Sequence, residues 1–260
     1  MKKQALTLVF HGLLFLLVLQ NGFSQSISVG VRAGALLNNV SLDPEDSDVN
    51  PKMLFAPQIA VPIEIAFGDM FAVQPEIMYG SHGYKVEESE TTTEGTVTIR
   101  SKIDGKLKAN TLEIPLLAKV KFGTELLKFH VLAGPSIGFG LSGEAEATGN
   151  IVATENTTGE VVFEEEFSEK GDLKFVGNDY DPNDVNDDQL PFAKTNINAH
   201  LGAGVNLKLG SATLFFDARY ILGLSDLSPK AEGESDDDHT KTKGNRIGLS
   251  VGVLFPLVGN

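Results

Sequence analysis

The sequence predicts an all-β protein: an eight-stranded antiparallel up-and-down transmembrane β-barrel with long external loops. Three observations lead there. Apolar residues recur at every second position through most of the chain, the signature of strands whose two faces meet different media. The connections between these stretches alternate long and short. Charges of both signs, set among glycines, are confined to one face of the strands.

Asn196–Lys208 shows the alternation most strictly. Ile197, Ala199, Leu201, Ala203, Val205 and Leu207 take one face; Asn196, Asn198, His200, Gly202, Gly204, Asn206 and Lys208 take the other. In chain order the first strand is Ile27–Asn38, followed by the polar, turn-rich stretch NVSLDPEDSDVNP. Met53–Phe67 is the second strand, and Gly68-Asp69 turns the chain tightly into the third, Phe71–Tyr84. Residues 85–106 read as a hairpin that continues strands three and four beyond the main body, with its tip near Glu87–Gly95. Leu107–Lys121 is the fourth strand and, after the turn Phe122–Leu126, Leu127–Leu141 is the fifth.

A long insertion, Ser142–Phe192, carries 14 acidic and 2 basic residues. Its first half reads as a small hairpin, Ile151–Glu155 with Val161–Phe163, and its second half, GNDYDPNDVNDDQLP, as irregular. The sixth strand, Asn196–Lys208, turns at Gly210-Ser211 into the seventh, Thr213–Leu224. A polar loop at 225–243 leads to the last, Asn245–Phe255.

Long connections follow strands one, three, five and seven, at about 40–52, 85–106, 142–192 and 225–243. In an antiparallel barrel this rhythm gathers the long loops at one end and the short turns and both termini at the other, the layout of outer-membrane barrels. The mixed face carries Arg32, Glu64, Glu76, Glu113, Lys119, Lys121, His130, His200, Lys208, Asp217, Arg219 and Arg246. Gly30, Gly34, Gly134, Gly138, Gly202, Gly204, Gly248 and Gly252 lie on the same face. This suits a cramped interior of small residues and salt-bridged side chains, with the uncharged face toward lipid. A soluble lipocalin-like barrel would put the apolar face inside and carry a densely polar exterior, whereas a soluble periplasmic sandwich, with its two-sheet core, would give the same alternation. Phe67, Phe71, Tyr79, Phe129, Phe139, Tyr220 and Phe255 lie near strand ends, where interfacial girdle residues belong.

Residues 1–24 read as a secretory signal peptide: basic Lys2 and Lys3, an apolar Leu6–Leu19, and small Gly22 and Ser24 before a cut ahead of Gln25. Residues 25–260 then form one barrel domain, with localisation in the outer membrane. The chain has no cysteine, which excludes disulfides, thiolate metal sites and thiol catalysis. A net charge of −14 argues against nucleic acid as a partner.

Several segments together resemble a known family. TLEIPLLAKVKFG (111–123), FHVLAGPSIGFGL (129–141), LGAGVNLKLG (201–210), DARYILGLSDL (217–227) and RIGLSVGVLF (246–255) are similar to the outer-membrane β-barrel domain of Bacteroidota porin-family, PorT-like proteins. SISVGVRAGALLNNVS (26–41) resembles the family's first strand and QPEIMYGSHGYK (74–85) its third; a signal peptide with Ser-Gln at its junction is also typical of the group. The resemblance implies an eight-stranded barrel inserted by the outer-membrane assembly machinery, and most members have no assigned biochemical function. Such barrels commonly end in an aromatic residue; Phe255 matches, but Pro256–Asn260 follows it.

The residues name no catalytic, cofactor or metal site. His130 and His200 are expected inside as packing groups. Ser136 lies six residues from His130, roughly 20 Å along an extended strand, too far for a nucleophile–base contact. Asp179-x-Asp181-x-Asn183 begins like an EF-hand loop, but Asp184 stands where the glycine belongs and Leu190 where the glutamate belongs. His239 beside Asp236–Asp238, and the acidic loops generally, are candidates for loose divalent-cation binding. The expected function is non-enzymatic: a monomer, embedded in outer-membrane lipid, with a structural or surface-interaction role through acidic loops. The alternatives are a small-solute channel, a barrel subunit of an export complex or, third, an envelope-lipid-modifying enzyme.

Overall fold

The computed structural model describes residues 25–43, 51–235 and 239–258. The expected signal peptide at 1–24, part of the first long loop and Asp236–Asp238 lie outside the described residues.

Eleven strands form one sheet: β1 (Gln25–Asp43), β2 (Pro51–Lys52), β3 (Leu54–Phe67), β4 (Phe71–Glu94), β5 (Val97–Gly123), β6 (Leu127–Glu155), β7 (Val161–Val176), β8 (Gln189–Ala193), β9 (Thr195–Leu209), β10 (Ala212–Gly223) and β11 (Lys241–Val258). Among the described residues the one helical element is a 3-10 turn at Pro182–Asp184.

The pairing returns to its starting point. β1 pairs β3 on one side and β11 on the other. Between them the antiparallel ladder runs β3–β4, β4–β5, β5–β6, β6–β9, β9–β10 and β10–β11. Eight of the eleven strands take part in this circuit. The other three lie in the loops: β2 flanks β4, β7 runs antiparallel along the outer part of β6, and β8 adds parallel to the end of β7. The sequence hid β7 because it is an exposed edge strand whose charges fall on both faces.

The faces are inside-out relative to a soluble protein. Leu201 is 63 % exposed while its neighbour His200 is 3 % exposed, and the same contrast runs round the ring. Val31, Ile59, Phe71, Ile77, Leu116, Phe129, Phe216 and Leu249 stand on the outside, whereas Arg32, Glu76, Glu113, Lys119, Arg219 and Arg246 are buried. An apolar exterior of this extent has no stable place in water, where exposed apolar patches rarely exceed a few hundred Å².

Glycines make the filled interior possible. A Cβ at Gly204 would run into the Phe216 carbonyl and the His130 ring, and one at Gly252 into the Phe215 ring.

Three strands outrun the ring. β4, β5 and β6 have 24, 27 and 29 residues, against 12 for β10. Their outer halves and β7 form a four-stranded sheet that projects from the long-loop end. Residues 142–155 alone account for about 45 Å of rise. The hairpin expected at 85–106 is present, with its turn at Gly95-Thr96. The small hairpin expected around 156–159 is the end of a much longer one, in which Glu144–Thr154 pairs with Val161–Asp172. The final strand continues past Phe255 to Val258, and Val258 pairs with Ile27.

Candidate functional site

Three features could carry function: the charged interior, the loop cap at one mouth, and the projecting sheet.

The interior is a set of interlocking ion pairs. Glu76 on β4 accepts from Arg32 Nη2 at 2.8 Å and from both terminal nitrogens of Arg219, at 2.9 and 2.8 Å. Arg219 also reaches Asp217 Oδ2 at 2.6 Å, and Asp217 Oδ1 contacts His130 Nε2 at 2.7 Å. Arg32 donates further to Gln58 and Ser250. Toward the short-turn end, Glu64 holds Lys119 at 2.9 Å and Lys121 at 2.6 Å. Toward the other end, Glu113 faces Arg246 Nη2 at 2.9 Å, an ion pair without hydrogen-bond alignment, and His200 Nε2 at 2.7 Å. Such buried charges persist because each has a partner; removing one strands the others.

Eleven of the twelve mixed-face residues picked from the sequence are buried here. Lys208 is the exception. It is exposed and lines, with Glu64, Lys121 and Asn206, a cavity of about 500 Å³ at the short-turn mouth, where the β6–β9 ladder ends at Leu207 while β9 stays paired with β10.

The register also brings together a group that spacing along one strand could not reveal. Ser136 and His130 are far apart along their own strand, but β6 and β9 are neighbours. Across that pair His200 Nε2 lies 3.0 Å from Ser136 Oγ, and it reaches Glu113 Oε1 of β5 at 2.7 Å. A nucleophile–base–acid relay needs the two partners on opposite imidazole nitrogens. Here one nitrogen faces both, Nδ1 has no hydrogen-bond partner, and the Ser136 hydroxyl donates to Glu113. With Asn198 also donating to Glu113, the group is a buried polar cluster that fills the interior.

The loops knit over the far mouth. Ala109, Leu173, Phe192 and Leu227 form an apolar cluster, with the Phe175 and Phe192 rings edge-on at 5.8 Å. Backbone bonds join 177–193 to the 225–243 loop: Ala193 N–H to Leu227 O at 3.0 Å and Asp179 N–H to Lys230 O at 2.9 Å. His239 clips the second loop, with Nε2 2.8 Å from Asp226 Oδ2 and Nδ1 3.1 Å from Glu234 Oε1. Burial disfavours the charge on His239, but the two carboxylates outweigh it and raise its pKa above the ordinary value. The EF-hand-like start is occupied by its own chain, since Asp181 Oδ1 accepts from the Asn183 amide and side chain at 2.9 and 2.7 Å. Among the described residues no group of three His, Cys, Asp or Glu side chains is placed to hold a metal.

The sequence matches the family described as outer membrane protein beta-barrel domain over residues 23–228. The chain belongs to that family. It is therefore an outer-membrane β-barrel protein, and the apolar exterior meets lipid. A comparison with curated proteins gives no match. Among solved structures, the chain is similar to Neisserial surface protein A, with 12% identity over 86% of this chain and 96% of the other and a TM-score of 0.35. It is also similar to Ail, the attachment invasion locus protein of Yersinia pestis, with 14% identity, coverage of 87% and 98%, and a TM-score of 0.30. The N-terminal β-barrel domain of Pseudomonas aeruginosa OprF gives 14% identity, coverage of 88% and 97%, and a TM-score of 0.28.

Proposed function

We propose that this protein is a monomeric, eight-stranded transmembrane barrel, inserted by the outer-membrane assembly machinery, whose role is non-enzymatic surface interaction through its loop end. In this reading residues 25–260 are a single domain that follows an export signal at 1–24, and the finer kinship is with Bacteroidota PorT-like proteins, on the strength of the segments quoted above. The observation that carries the functional reading is the division of labour along the barrel axis. The interior is plugged by the Glu76, Glu64 and Glu113 ion-pair groups, while β4–β7 build a large ordered surface beyond the ring.

A channel is the second reading, favoured by the cavity at the short-turn mouth. That cavity is lined at its inner end by the Glu64–Lys121 pair, and an eight-stranded barrel is just wide enough for its own side chains. Loose divalent-cation binding at the acidic loops rests on their charge alone. Protease treatment of intact cells tests the main reading. Cleavage confined to the long loops is expected; cleavage at the 68–69 or 210–211 turns in intact cells would reverse the topology. Large steady conductance from pure monomer in a planar bilayer would favour the channel.

A further inference from the structure

The projecting sheet has two unlike faces, an outward one of mixed charge and an inward one that is apolar with acidic flanks. Cross-strand partners share a face, so the register sorts every side chain. The row Lys85, Lys106, Glu146 and Lys170 lies on the outward face, as do Lys102 and Arg100. Lys170 and Lys106 both pair with Glu146 there. The inward face, which continues the inside of the barrel, carries Val97, Ile99, Ile103, Ile151, Phe163 and Phe167. Phe167 covers Gly149, where a Cβ would strike its ring. Near the barrel this face is covered by the loop cluster of Phe192 and Leu227. Farther out it is open: Ile103 and Phe163 are 39 % and 49 % exposed. Exposed glutamates flank the apolar strip, Glu88 and Glu90 from β4, Glu165 and Glu169 from β7. Among the described residues of this sheet no lysine or arginine falls on this face; all lie on the other.

We propose that this inward face docks a basic amphipathic segment of another protein, its apolar side chains on the Ile103–Phe167 strip and its lysines or arginines on the flanking glutamates. Charge complementarity selects this occupant. A second copy presenting the same face would set glutamates against glutamates. Residues 44–50 and 236–238, outside the described residues, are acidic in sequence, with Glu45, Asp46 and Asp48 in one segment and Asp236, Asp237 and Asp238 in the other. The inference rests on the surface-interaction reading above, since such a partner reaches the sheet from outside the cell.

The absence of cysteine makes the test direct. Ile99→Cys on the inward face and Lys102→Cys on the outward face each accept one environment-sensitive fluorophore in the full-length protein in lipid nanodiscs. The probe is a synthetic peptide of alternating leucine and lysine, with a leucine–glutamate peptide as its counterpart. The expected result is saturable binding of the lysine peptide, sensed at Ile99→Cys and not at Lys102→Cys. Binding should fall roughly tenfold in a Glu88→Lys, Glu90→Lys, Glu165→Lys variant, and also on raising salt well above physiological strength. Equal binding of both peptides, or equal response at both positions, overturns the proposal. So does concentration-dependent self-association of the peptide-free protein in sedimentation that buries the Ile99→Cys probe. Labelling of Ile99→Cys on intact cells with a membrane-impermeant maleimide separates the two levels. No labelling there together with lysine-peptide binding in nanodiscs refutes the surface reading while the docking face stands.

Discussion

Replacing Glu76 by glutamine tests whether the interior is held by charge. Glu76 is fully buried and is the acceptor shared by Arg32 and Arg219. In Glu76→Gln the two guanidiniums retain only Asp217 as an anionic partner nearby, through Arg219 at 2.6 Å. The amide has nearly the same shape, so the change isolates charge from packing. Breaking a buried pair by removing one partner costs about 3–5 kcal/mol. That is a large part of a typical folding stability of roughly 5–15 kcal/mol. With a urea dependence of about 1–3 kcal/mol per molar, the unfolding midpoint in lipid vesicles should fall by roughly 1–5 M. Loss of the band of folded mobility on unheated gels reads the same transition. The double variant Glu76→Gln, Arg219→Gln should cost less than the sum of the two single changes, because it removes charge of both signs. A midpoint within about 0.3 M of the parent, or strictly additive costs, would refute the account of the interior as an interdependent charge network.

Four further outcomes are expected. Leu201→Arg, on the lipid face of β9, should cost roughly 2–4 kcal/mol if the site is near the membrane midplane and lower the yield of inserted protein, while Asn206→Ala inside should be mild; a vesicle-refolding titration compares them. Gly204→Leu should block assembly of the folded barrel, because the added side chain meets the Phe216 carbonyl and the His130 ring, and a gel-shift assay scores it. The His239 clip should loosen as pH rises. Its folded pKa is raised, so its stabilisation is fully present below the ordinary imidazole value of about 6.5 and lost as pH passes through the higher folded value. Proteolysis within 225–243 should therefore accelerate with rising pH in the parent and not in His239→Asn, and acceleration on acidification would contradict the sign. Calorimetry with Ca²⁺ and Mg²⁺ checks the acidic loops, where weak, salt-sensitive binding is expected and a flat titration removes the cation reading.

Much of the fold was legible because strand periodicity is local. Ile197 to Lys208 declares two unlike faces without reference to any partner, and the short turns at Gly68-Asp69 and Gly210-Ser211 set which end is which. Charges confined to one face, among glycines, also pointed to a filled interior. The strand at Val161–Val176 was not legible beyond its first residues. Glu164, Glu165 and Glu166 sit consecutively on an edge strand open to water on both faces, so burial imposes no alternation. The meeting of Ser136, His200 and Glu113 was invisible for a different reason: it depends on how β5, β6 and β9 stand against one another, and the β6–β9 register is long-range and encoded by no local spacing. Lys208 shows the same limit at a strand end, where a side chain at the open mouth is exposed although the alternation continues.

By itself, then, the sequence determined the strands, their two faces and the rhythm of their connections, because a period of two and a tight turn are properties of a few consecutive residues. Tertiary structure decided which charges pair, that Ser136 and His200 touch through a nitrogen wrong for a relay, and that β4–β7 rise as one sheet with its basic side chains on one face. Those facts follow from cross-strand register. Turns set the register within each hairpin, but contacts between residues far apart in the chain come only when the strands close on one another, as Arg219 is brought to Glu76 across 143 positions.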